Sequence, residues 1–310
     1  MRLVFMGTPE FAVPSLNRLV ESKHDVIGVV TVPDKPAGRG LKERPSAVKQ
    51  AASDLDLPVL QPEKLKDPGF LSALRDWQAD CYAVVAFRIL PVDVFGIPRL
   101  GTVNLHTSLL PKYRGAAPIQ WALMNGDSET GVTTFLIDRR VDTGNILMQK
   151  RIAIQPDEDA GSLHDKLAEA GADLLVQTMD KLEASTIEPR PQKGEATPAP
   201  KIIRVHCRID WSDSNEKIRD QIRALSPMPG AFTGLNGKRM KLFETDLQSG
   251  ADSRHPSGSI LKADDSGILV QCGTGRLLVH ELQLEGKKRM RVSEFLRGNT
   301  IKTGDRFISS

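Results

Sequence analysis

Two polar side chains at the end of an apolar run, Asn104 and His106, are of the types that stabilise a developing negative charge. Thr102–Leu105 has the composition of a short buried strand. In a strand, positions i and i+2 point to the same face, so the amide and the imidazole project together. Ligands of open parallel sheets bind at the carboxyl ends of the strands. The pair therefore predicts a ligand site, although an isolated Asn-x-His is also compatible with a structural histidine bonded to backbone.

Asp142-Thr143-Gly144 is the second candidate, because it supplies a carboxylate in a segment that favours a turn. A turn alone would explain these three residues. The same tripeptide occurs in aspartic proteases, whose chemistry needs two carboxylates that share one proton. This chain has a single Asp-Thr-Gly and is too long for a half-site of such an enzyme, so the protease interpretation is set aside.

The segment that follows His106 supports a binding site. Residues 108–118 (SLLPKYRGAAP) mix prolines, a glycine and basic residues, and they show neither helical nor strand periodicity. Loops that follow strands carry binding residues more often than the interiors of elements do. We expect this loop to form a wall of the site.

The elements that must position these side chains alternate along the first 155 residues. Short apolar, β-branched runs predict strands, and segments with helical spacing lie between them. The pattern predicts an α/β fold with a largely parallel sheet covered on both faces. The predicted strands are Leu3–Met6, Asp25–Val32, Leu57–Leu60, Ala83–Phe87, Thr102–Leu105, Val132–Ile137 and Ile146–Ile154. The predicted helices are Val13–Val20, Ser46–Ala52, Asp67–Trp77, Val92–Phe95 and Ser162–Leu182.

The character of the sequence changes after the last of these helices. Residues 188–201 (EPRPQKGEATPAPK) contain four prolines and no apolar periodicity, which predicts a linker. Asn215–Ala224 is a predicted helix, and the short strands punctuated by glycine beyond it favour a small β-barrel. Residues 205–310 carry 17 Lys and Arg against 13 Asp and Glu. That excess is compatible with a polyanionic partner, and it is also common by chance.

The composition limits the class of protein. A length of 310 residues suits two domains, and 26% charged with 40% hydrophobic residues excludes a mainly disordered chain. No run approaches the ~18–20 apolar residues of a membrane span, and the N-terminal apolar patch is too short for a signal peptide. Three widely spaced cysteines without a Cys-x-x-Cys pair predict reduced thiols, neither a disulfide framework nor a zinc site. We expect a cytosolic protein.

With these motifs in view, the sequence resembles the 10-formyltetrahydrofolate-dependent formyltransferases. The likeness rests on Asn104-x-His106-x-Ser108-Leu109-Leu110-Pro111, followed by Asp142-Thr143-Gly144. Further segments are similar to the subfamily that formylates methionyl-tRNA, and together they span nearly the whole chain. These segments are residues 5–12 (FMGTPEFA), 36–40 (PAGRG), 114–120 (RGAAPIQ), 208–211 (RIDW), 227–231 (PMPGA) and 286–288 (GKK).

The resemblance implies a Rossmann-like parallel-sheet formyltransferase domain at 1–187, which binds folate and is catalytic, a linker at 188–204 and an OB-like, tRNA-binding β-barrel at 205–310. It implies 10-formyltetrahydrofolate as co-substrate, initiator methionyl-tRNA as the partner, and no metal. The implied catalytic residues are Asn104, His106 and Asp142. The implied folate contacts are Ser108, Leu109, Leu110, Pro111, Phe87 and Ile89, and the implied tRNA contacts are Arg39, Lys42, Lys287 and Lys288.

The implied chemistry needs these residue types. Moving a formyl group from a folate nitrogen to an amine passes through a tetrahedral intermediate whose oxygen becomes negative. Each donor placed at that oxygen contributes ~10²–10³ in rate, and Asn104 and His106 both offer N–H groups. Asp142 would orient and charge His106 and accept the proton of the amine, directly or through one water. No metal ion and no covalent enzyme intermediate is required.

Some positions depart from the family pattern. The segment 86–91 is one residue shorter than in the family and carries Arg88 where glycine is common, so the folate contacts there are expected to differ. Arg140 also replaces a usual glycine, and Met228 stands where an aromatic residue is common. None of these changes touches the three implied catalytic residues.

The sequence leaves two alternatives to tRNA formylation to consider, a sister enzyme and a non-catalytic protein. A sister enzyme that formylates a nucleotide-linked amino sugar would share the loop after His106. Shorter relatives that formylate a purine precursor end near the first domain, so residues 205–310 count against them. A non-catalytic RNA-binding protein would have lost a catalytic residue, and all three are present.

The loop at residues 36–44 (PAGRGLKER) favours a tRNA substrate over an amino sugar. Its two glycines and its proline forbid a regular helix, and it has three cations against one acidic residue. Basic side chains in such a loop neutralise the phosphates of an RNA acceptor stem. A solvated surface loop is the alternative.

Overall fold

A computed structural model of the chain describes residues 1–37, 42–250 and 254–309. The chain packs as two units. The first comprises Met1–Pro118, Glu129–Ala153 and His164–Ala199, and the second comprises Ile119–Ser128, Ile154–Leu163 and Pro200–Ser310. The chain therefore crosses between the units more than once.

The first unit is built on a mixed sheet. Its strands within the described residues are β1 (Arg2–Gly7), β2 (Asp25–Val30), β3 (Lys35–Ala37), β4 (Lys42–Arg44), β5 (Val59–Leu60), β6 (Cys81–Val85), β7 (Thr102–His106), β8 (Arg114–Gly115), β9 (Glu129–Leu136), β10 (Ile146–Ala153) and β11 (Pro198–Ala199). The seven-stranded sheet has the order β10-β9-β7-β6-β1-β2-β5. From β7 to β5 the strands are parallel, whereas β9 and β10 are antiparallel to their neighbours.

The central strands are buried because their sequences are apolar without interruption. All residues of β1 except Arg2 are buried, and so is the whole of β6. Strands that are covered on both faces need such continuous apolar runs. One core of the unit consists of Val4, Met6, Val30, Phe70, Leu74, Tyr82, Val84, Leu90 and Val94.

Side-chain caps mark the start of two helices in the first part of the chain, at Ser46 and at Asp67. The chain up to residue 183 forms α1 (Val13–Val20), α2 (Ala47–Asp54), α3 (Pro68–Asp76), α4 (Val92–Phe95), α5 (Pro118–Met124) and α6 (Ala160–Glu183). The Asp67 carboxylate accepts a hydrogen bond from the Phe70 amide at 3.0 Å, and Pro68 stands in the first turn of α3. The α6 residue Gly171 lies so close to β7 that an added Cβ would be 2.7 Å from Leu105.

The second unit is a small β domain. Its strands are β12 (Ala231–Leu235), β13 (Lys238–Leu242), β14 (Thr245–Gln248), β15 (Ile260–Asp264), β16 (Gly267–Gln271), β17 (Arg276–Val279), β18 (Glu281–Leu284) and β19 (Met290–Arg291). Beyond residue 200 the described helices are α7 (Asn215–Ala224) and α8 (Val292–Leu296). The sheets have the orders β12-β13-β18-β19 and β14-β17-β16-β15. Trp211 stacks on Phe307 in the core at 5.3 Å and donates from Nε1 to the hydroxyl of Thr233.

The predicted fold class, an α/β domain with a parallel sheet followed by a β domain, is confirmed. The short helix α5 was not predicted. The linker was predicted to begin at residue 188, yet the chain packs with the first unit as far as Ala199, where β11 pairs with β8. The predicted domain limits stay predictions. Within the described ranges, no helix combines the length and the apolar character needed to cross a bilayer.

Candidate active site

His106 is the last residue of β7, and only 7% of it is exposed. Its Nε2 lies 2.8 Å from the carbonyl oxygen of Tyr113. A carbonyl oxygen only accepts hydrogen bonds, so Nε2 carries a proton and donates it. This bond fixes the orientation of the ring and leaves Nδ1 on the side of Asp142.

Asp142 approaches His106 from the loop that joins β9 and β10. Its Oδ2 lies 3.8 Å from His106 Nδ1, and it accepts a hydrogen bond from the Gly115 amide at 2.9 Å. The first distance suits an ion pair and is longer than a direct hydrogen bond. Catalytic hydrogen bonds are often long before substrate binds and shorten in the complex. The fold thus brings together two of the predicted catalytic residues that are far apart in the sequence.

The Asp-Thr-Gly segment is a turn as well as a source of a carboxylate. Asp142 has a φ of 55°, in the left-handed region that aspartate adopts more readily than most residues. Gly144 passes so close to β9 that an added Cβ would lie 1.7 Å from the carbonyl oxygen of Leu136. The motif is therefore a turn, and the catalytic role of its carboxylate stays a prediction.

Asn104 lies two residues before His106 in the same strand, so the two side chains share a face of the sheet. It is half-buried and pairs with Val84 of β6 and Phe135 of β9. Its side-chain amide makes no hydrogen bond within the part of the chain that the structure describes. Its N–H groups are therefore free to donate to a ligand.

The loop after His106 is held in place by hydrogen bonds of its own. The Ser108 hydroxyl donates to the carbonyl of Lys112 at 2.5 Å, and the Ser108 carbonyl accepts from the hydroxyl of Thr133 at 2.6 Å. Thr133 also accepts from the Leu110 amide at 3.2 Å. Ser108 thus shapes the loop from inside, and its predicted contact with folate stays a prediction.

The predicted folate contacts lie on two segments that follow neighbouring strands, β6 and β7. Phe87 is half-buried against the core, whereas the side chain of Ile89 is 77% exposed. Exposed apolar side chains beside a few polar groups suit a flat heteroaromatic ligand. In the loop after β7, Leu109 and Pro111 are half-buried, and Ser108 and Leu110 are buried.

Arg88, the departure from the family pattern in this region, anchors the shortened segment 86–91. Its guanidinium donates to the carbonyls of Pro62 at 2.9 Å and Glu63 at 3.1 Å, and it lies 5.2 Å from the ring centre of Phe87. Burial lowers the pKa of the Arg88 guanidinium, which nevertheless stays charged at physiological pH. The side chain is thereby committed to protein groups.

Several residues of the site were missed by sequence reasoning. Thr133 pairs directly with His106 across β7 and β9, and Gln149 donates to the Thr133 hydroxyl at 2.9 Å. Gln192 donates to the carbonyls of Asp142 and Gly144 from within the predicted linker. The strand pairing could have indicated Thr133, but no local pattern marks Gln192.

The predicted tRNA contacts of the glycine-rich loop are only partly covered by the structure. Arg39 lies outside the described residues. Lys42 begins β4, which pairs with β3. The role of this loop stays a prediction.

The predicted tRNA contacts of the second unit, Lys287 and Lys288, are exposed in the turn between β18 and β19. The neighbouring arginines differ from them, because Arg289 is paired with Glu281 and Arg291 with Glu244. The two lysines are therefore the better candidates for phosphate contacts in this turn.

The site offers the amide N–H groups of Asn104, the imidazole of His106 and, beside that imidazole, the carboxylate of Asp142. In the ranges that the structure describes, no three His, Cys, Asp or Glu side chains lie close enough to share a metal ion. Cys81, Cys207 and Cys272 are buried free thiols, and burial raises the pKa of Cys81 to about 12. The arrangement suits stabilisation of an oxyanion together with the transfer of a proton.

Two family profiles match the sequence, one in each half of the chain. A formyl transferase profile matches residues 1–179, and a profile of the formyl transferase C-terminal domain matches residues 201–300.

Two curated relatives match nearly the whole chain. Methionyl-tRNA formyltransferase of Bacteroides thetaiotaomicron is 47% identical over 314 residues, which cover 98% of this chain and 97% of that protein. Methionyl-tRNA formyltransferase of Parabacteroides distasonis is 49% identical over 310 residues, which cover 96% of this chain and 95% of that protein.

Solved structures share the fold at lower identity. HypX from Aquifex aeolicus in complex with tetrahydrofolic acid has a TM-score of 0.67 and 18% identity, and the match covers 99% of this chain and 50% of that one. Methionyl-tRNA formyltransferase from Clostridium thermocellum has a TM-score of 0.56 and 17% identity, with 81% and 95% covered. Since the first family profile covers more than half of this chain and the curated relatives match it over nearly all its length, the chain belongs to the formyl transferase family, in the group of the methionyl-tRNA formyltransferases.

Proposed function

We propose that this protein transfers a formyl group from 10-formyltetrahydrofolate to the α-amino group of methionine on initiator methionyl-tRNA, for translation initiation. One observation carries the proposal: His106 Nδ1 lies 3.8 Å from the Asp142 carboxylate, on the strand that also holds Asn104, in a chain of this family. The close curated relatives are methionyl-tRNA formyltransferases, which favours a tRNA acceptor. The predicted cytosolic location stays a prediction.

Asn104 and His106 stabilise the negative charge that develops on the formyl oxygen. Because His106 Nε2 is committed to the Tyr113 carbonyl, the ring donates to substrate only from Nδ1, and only when it is protonated. The Asp142 carboxylate beside Nδ1 stabilises that positive ring. Asn104 adds a neutral donor from two residues earlier on the same face.

Asp142 accepts the proton that the attacking amine loses and then donates it to the leaving nitrogen. As the new carbon–nitrogen bond forms, the amine nitrogen loses a proton, and the carboxylate accepts it directly or through one water. When the bond from the formyl carbon to the folate nitrogen breaks, that nitrogen needs a proton, which the same carboxylate returns. The Gly115 amide holds the carboxylate in place throughout.

The residues around the catalytic group fit a folate co-substrate. Bound 10-formyltetrahydrofolate supplies the formyl group, and its pterin contains an aromatic pyrimidinone ring. Ile89 and Val141 lie in segments that adjoin the catalytic residues, and their apolar side chains are 77% and 52% exposed. When a ring covers exposed apolar side chains of this kind, the burial of apolar surface stabilises the complex.

Formyl transfer to defined acceptors tests the proposal. The purified chain should formylate initiator methionyl-tRNA with 10-formyltetrahydrofolate as donor, and Asp142→Asn should lower the rate. Turnover should also fall at low pH, because a protonated amine has no lone pair for attack. A nucleotide-linked amino sugar is the second acceptor, and its ready formylation without formylation of tRNA would replace this proposal with the sister activity.

A further inference from the structure

A single side chain, Gln192, joins the two loops of the candidate active site. Its Oε1 accepts hydrogen bonds from Arg114 Nε at 3.1 Å and from Arg114 Nη2 at 2.6 Å. Its Nε2 donates to the carbonyl oxygens of Asp142 at 2.8 Å and Gly144 at 2.9 Å. The amide thereby uses both of its donors and both acceptor sites on its oxygen.

The backbone on either side of Gln192 is paired with the first unit. Arg190 and Ile146 exchange two backbone hydrogen bonds of 2.8 Å each. Beyond Gln192, the carbonyl of Thr197 accepts from the Arg114 amide at 2.9 Å. The segment that the composition suggested as a linker therefore presents Gln192 to the site in a fixed position.

The backbone of Asp142 needs such support. Its φ of 55° still costs free energy, although aspartate tolerates this region better than most residues, and such conformations persist where the surroundings impose them. Gly144 is buried, so its carbonyl would be left unpaired without Gln192. A displacement of about 1 Å in a catalytic group can lower a rate ~10²-fold.

We propose that Gln192 is a positioning residue, which holds the Asp142 carboxylate at His106 by tying the Asp142 backbone to Arg114. The inference rests on the proposed function, since it assigns Asp142 a part in formyl transfer. Gln192 acts through Asp142 and does not touch the reacting atoms.

Two substitutions distinguish a positioning role of Gln192 from a role in packing alone. Gln192→Ala removes all four hydrogen bonds. Gln192→Glu keeps the size and the acceptor for Arg114, but it replaces the donors with an oxygen that faces two carbonyls. The matched control is Gln221→Ala, because the Gln221 amide is also half-buried and donates to two carbonyls at 2.8 and 2.9 Å, in the second unit.

Both Gln192 variants should lower kcat ~10²-fold with saturating substrates, while KM for folate and for tRNA changes little. The Gln221→Ala variant should keep nearly the wild-type kcat. Combining Gln192→Ala with Asp142→Asn should cause no further loss beyond Asp142→Asn alone, because the group that Gln192 positions is already gone. A wild-type kcat in Gln192→Glu would overturn the proposal, since packing alone would then explain the residue.

Hydrogen exchange supplies a readout that does not depend on activity. The Gly115 amide, which donates to Asp142, should exchange faster in both Gln192 variants than in wild type or in Gln221→Ala. Unchanged exchange would also overturn the proposal. If the wild-type chain formylates no acceptor, the proposed function fails, and the exchange measurement still decides whether Gln192 holds Asp142.

Discussion

The ring of His106 has one nitrogen available to a ligand, because the Tyr113 carbonyl occupies the other. A donor of this kind strengthens its hydrogen bond as negative charge develops on substrate, and the same holds for the amide of Asn104. Interactions that are stronger in the transition state than in the ground state raise turnover without tightening binding. The catalytic assignment therefore predicts a separation between kcat and folate affinity.

We expect Asn104→Ala and His106→Ala each to lower kcat by ~10²–10³ and to leave the Kd for folate nearly unchanged. Asp142→Asn should lower kcat by a similar factor, because it removes both the proton acceptor and the partner of the charged ring. Single-turnover formylation and equilibrium titration with folate measure the two quantities. Turnover near the wild-type value in Asp142→Asn would remove Asp142 from the mechanism.

Gly144 gives a prediction about the free energy of unfolding. In Gly144→Ala the new Cβ would lie 1.7 Å from a backbone oxygen of β9, so the turn or the strand must shift. We expect a loss of ~1–3 kcal/mol in the free energy of unfolding, as for other overpacked sites, together with lower turnover. Urea denaturation checks this. The control Gly298→Ala, where the Cβ meets no atom within 4 Å, should unfold as the wild type does.

At the scale of elements, the turn between β18 and β19 is the clearest candidate for an electrostatic contact. Arg289 and Arg291 on this hairpin are neutralised by Glu281 and Glu244, whereas Lys287 and Lys288 extend from the turn itself. Lysines also protect the ends of hairpins from edge-to-edge pairing, which is the alternative explanation. The salt dependence of tRNA binding distinguishes a phosphate contact from this protective role.

If the turn contacts tRNA phosphates, the double substitution of Lys287 and Lys288 by Ala should weaken tRNA binding at low salt and reduce the salt slope by up to ~2. Formylation with saturating tRNA should keep its rate. Filter binding of methionyl-tRNA across a salt series measures the slope. The double substitution of Lys64 and Lys66 in the first unit makes the same change in net charge and should leave the slope unaltered. Equal slopes for both double variants would assign Lys287 and Lys288 to the protective role.

At the scale of the whole molecule, a buried histidine links folding to pH. The side chain of His24 is fully buried beside Asp180 and Glu183. Burial lowers the pKa of His24, and the nearby N-terminal ammonium of Met1 and Lys23 lower it further, while the two carboxylates raise it. The net direction is downward from the ordinary value of 6.5. Between the lowered pKa of His24 in the folded chain and its ordinary value in the unfolded chain, the unfolded chain binds more protons than the folded one. The free energy of unfolding therefore falls as the pH decreases through that interval.

We therefore expect the melting temperature of the wild type to fall more steeply below pH 6.5 than that of His24→Gln, which has no titrating group there. Thermal unfolding at a series of pH values measures the difference. Parallel curves for wild type and His24→Gln would show that other groups control acid unfolding.

Local sequence rules predicted most of the elements that carry the site. Asp67 and Pro68 marked the start of α3, and the bounds of α7 are as predicted. The apolar runs of the parallel strands were found because burial on both faces leaves an unbroken pattern. The helix α5 was missed because its few residues follow a loop rich in glycine, alanine and proline, which masks so short a periodicity.

Residue types and local geometry follow from the sequence alone, which puts Asn104 and His106 on one face of a strand and a carboxylate in a turn that ends at Gly144. These follow from the two-residue repeat of a strand and from backbone sterics, which are properties of neighbouring residues. The packing of the folded chain, by contrast, brings Asp142 to His106 and pairs one ring nitrogen of His106 with Tyr113. It also lets Gln192 join loops that are 50 and 78 positions away. Contacts over such separations depend on how packed elements bring distant loops together, and no local pattern encodes them.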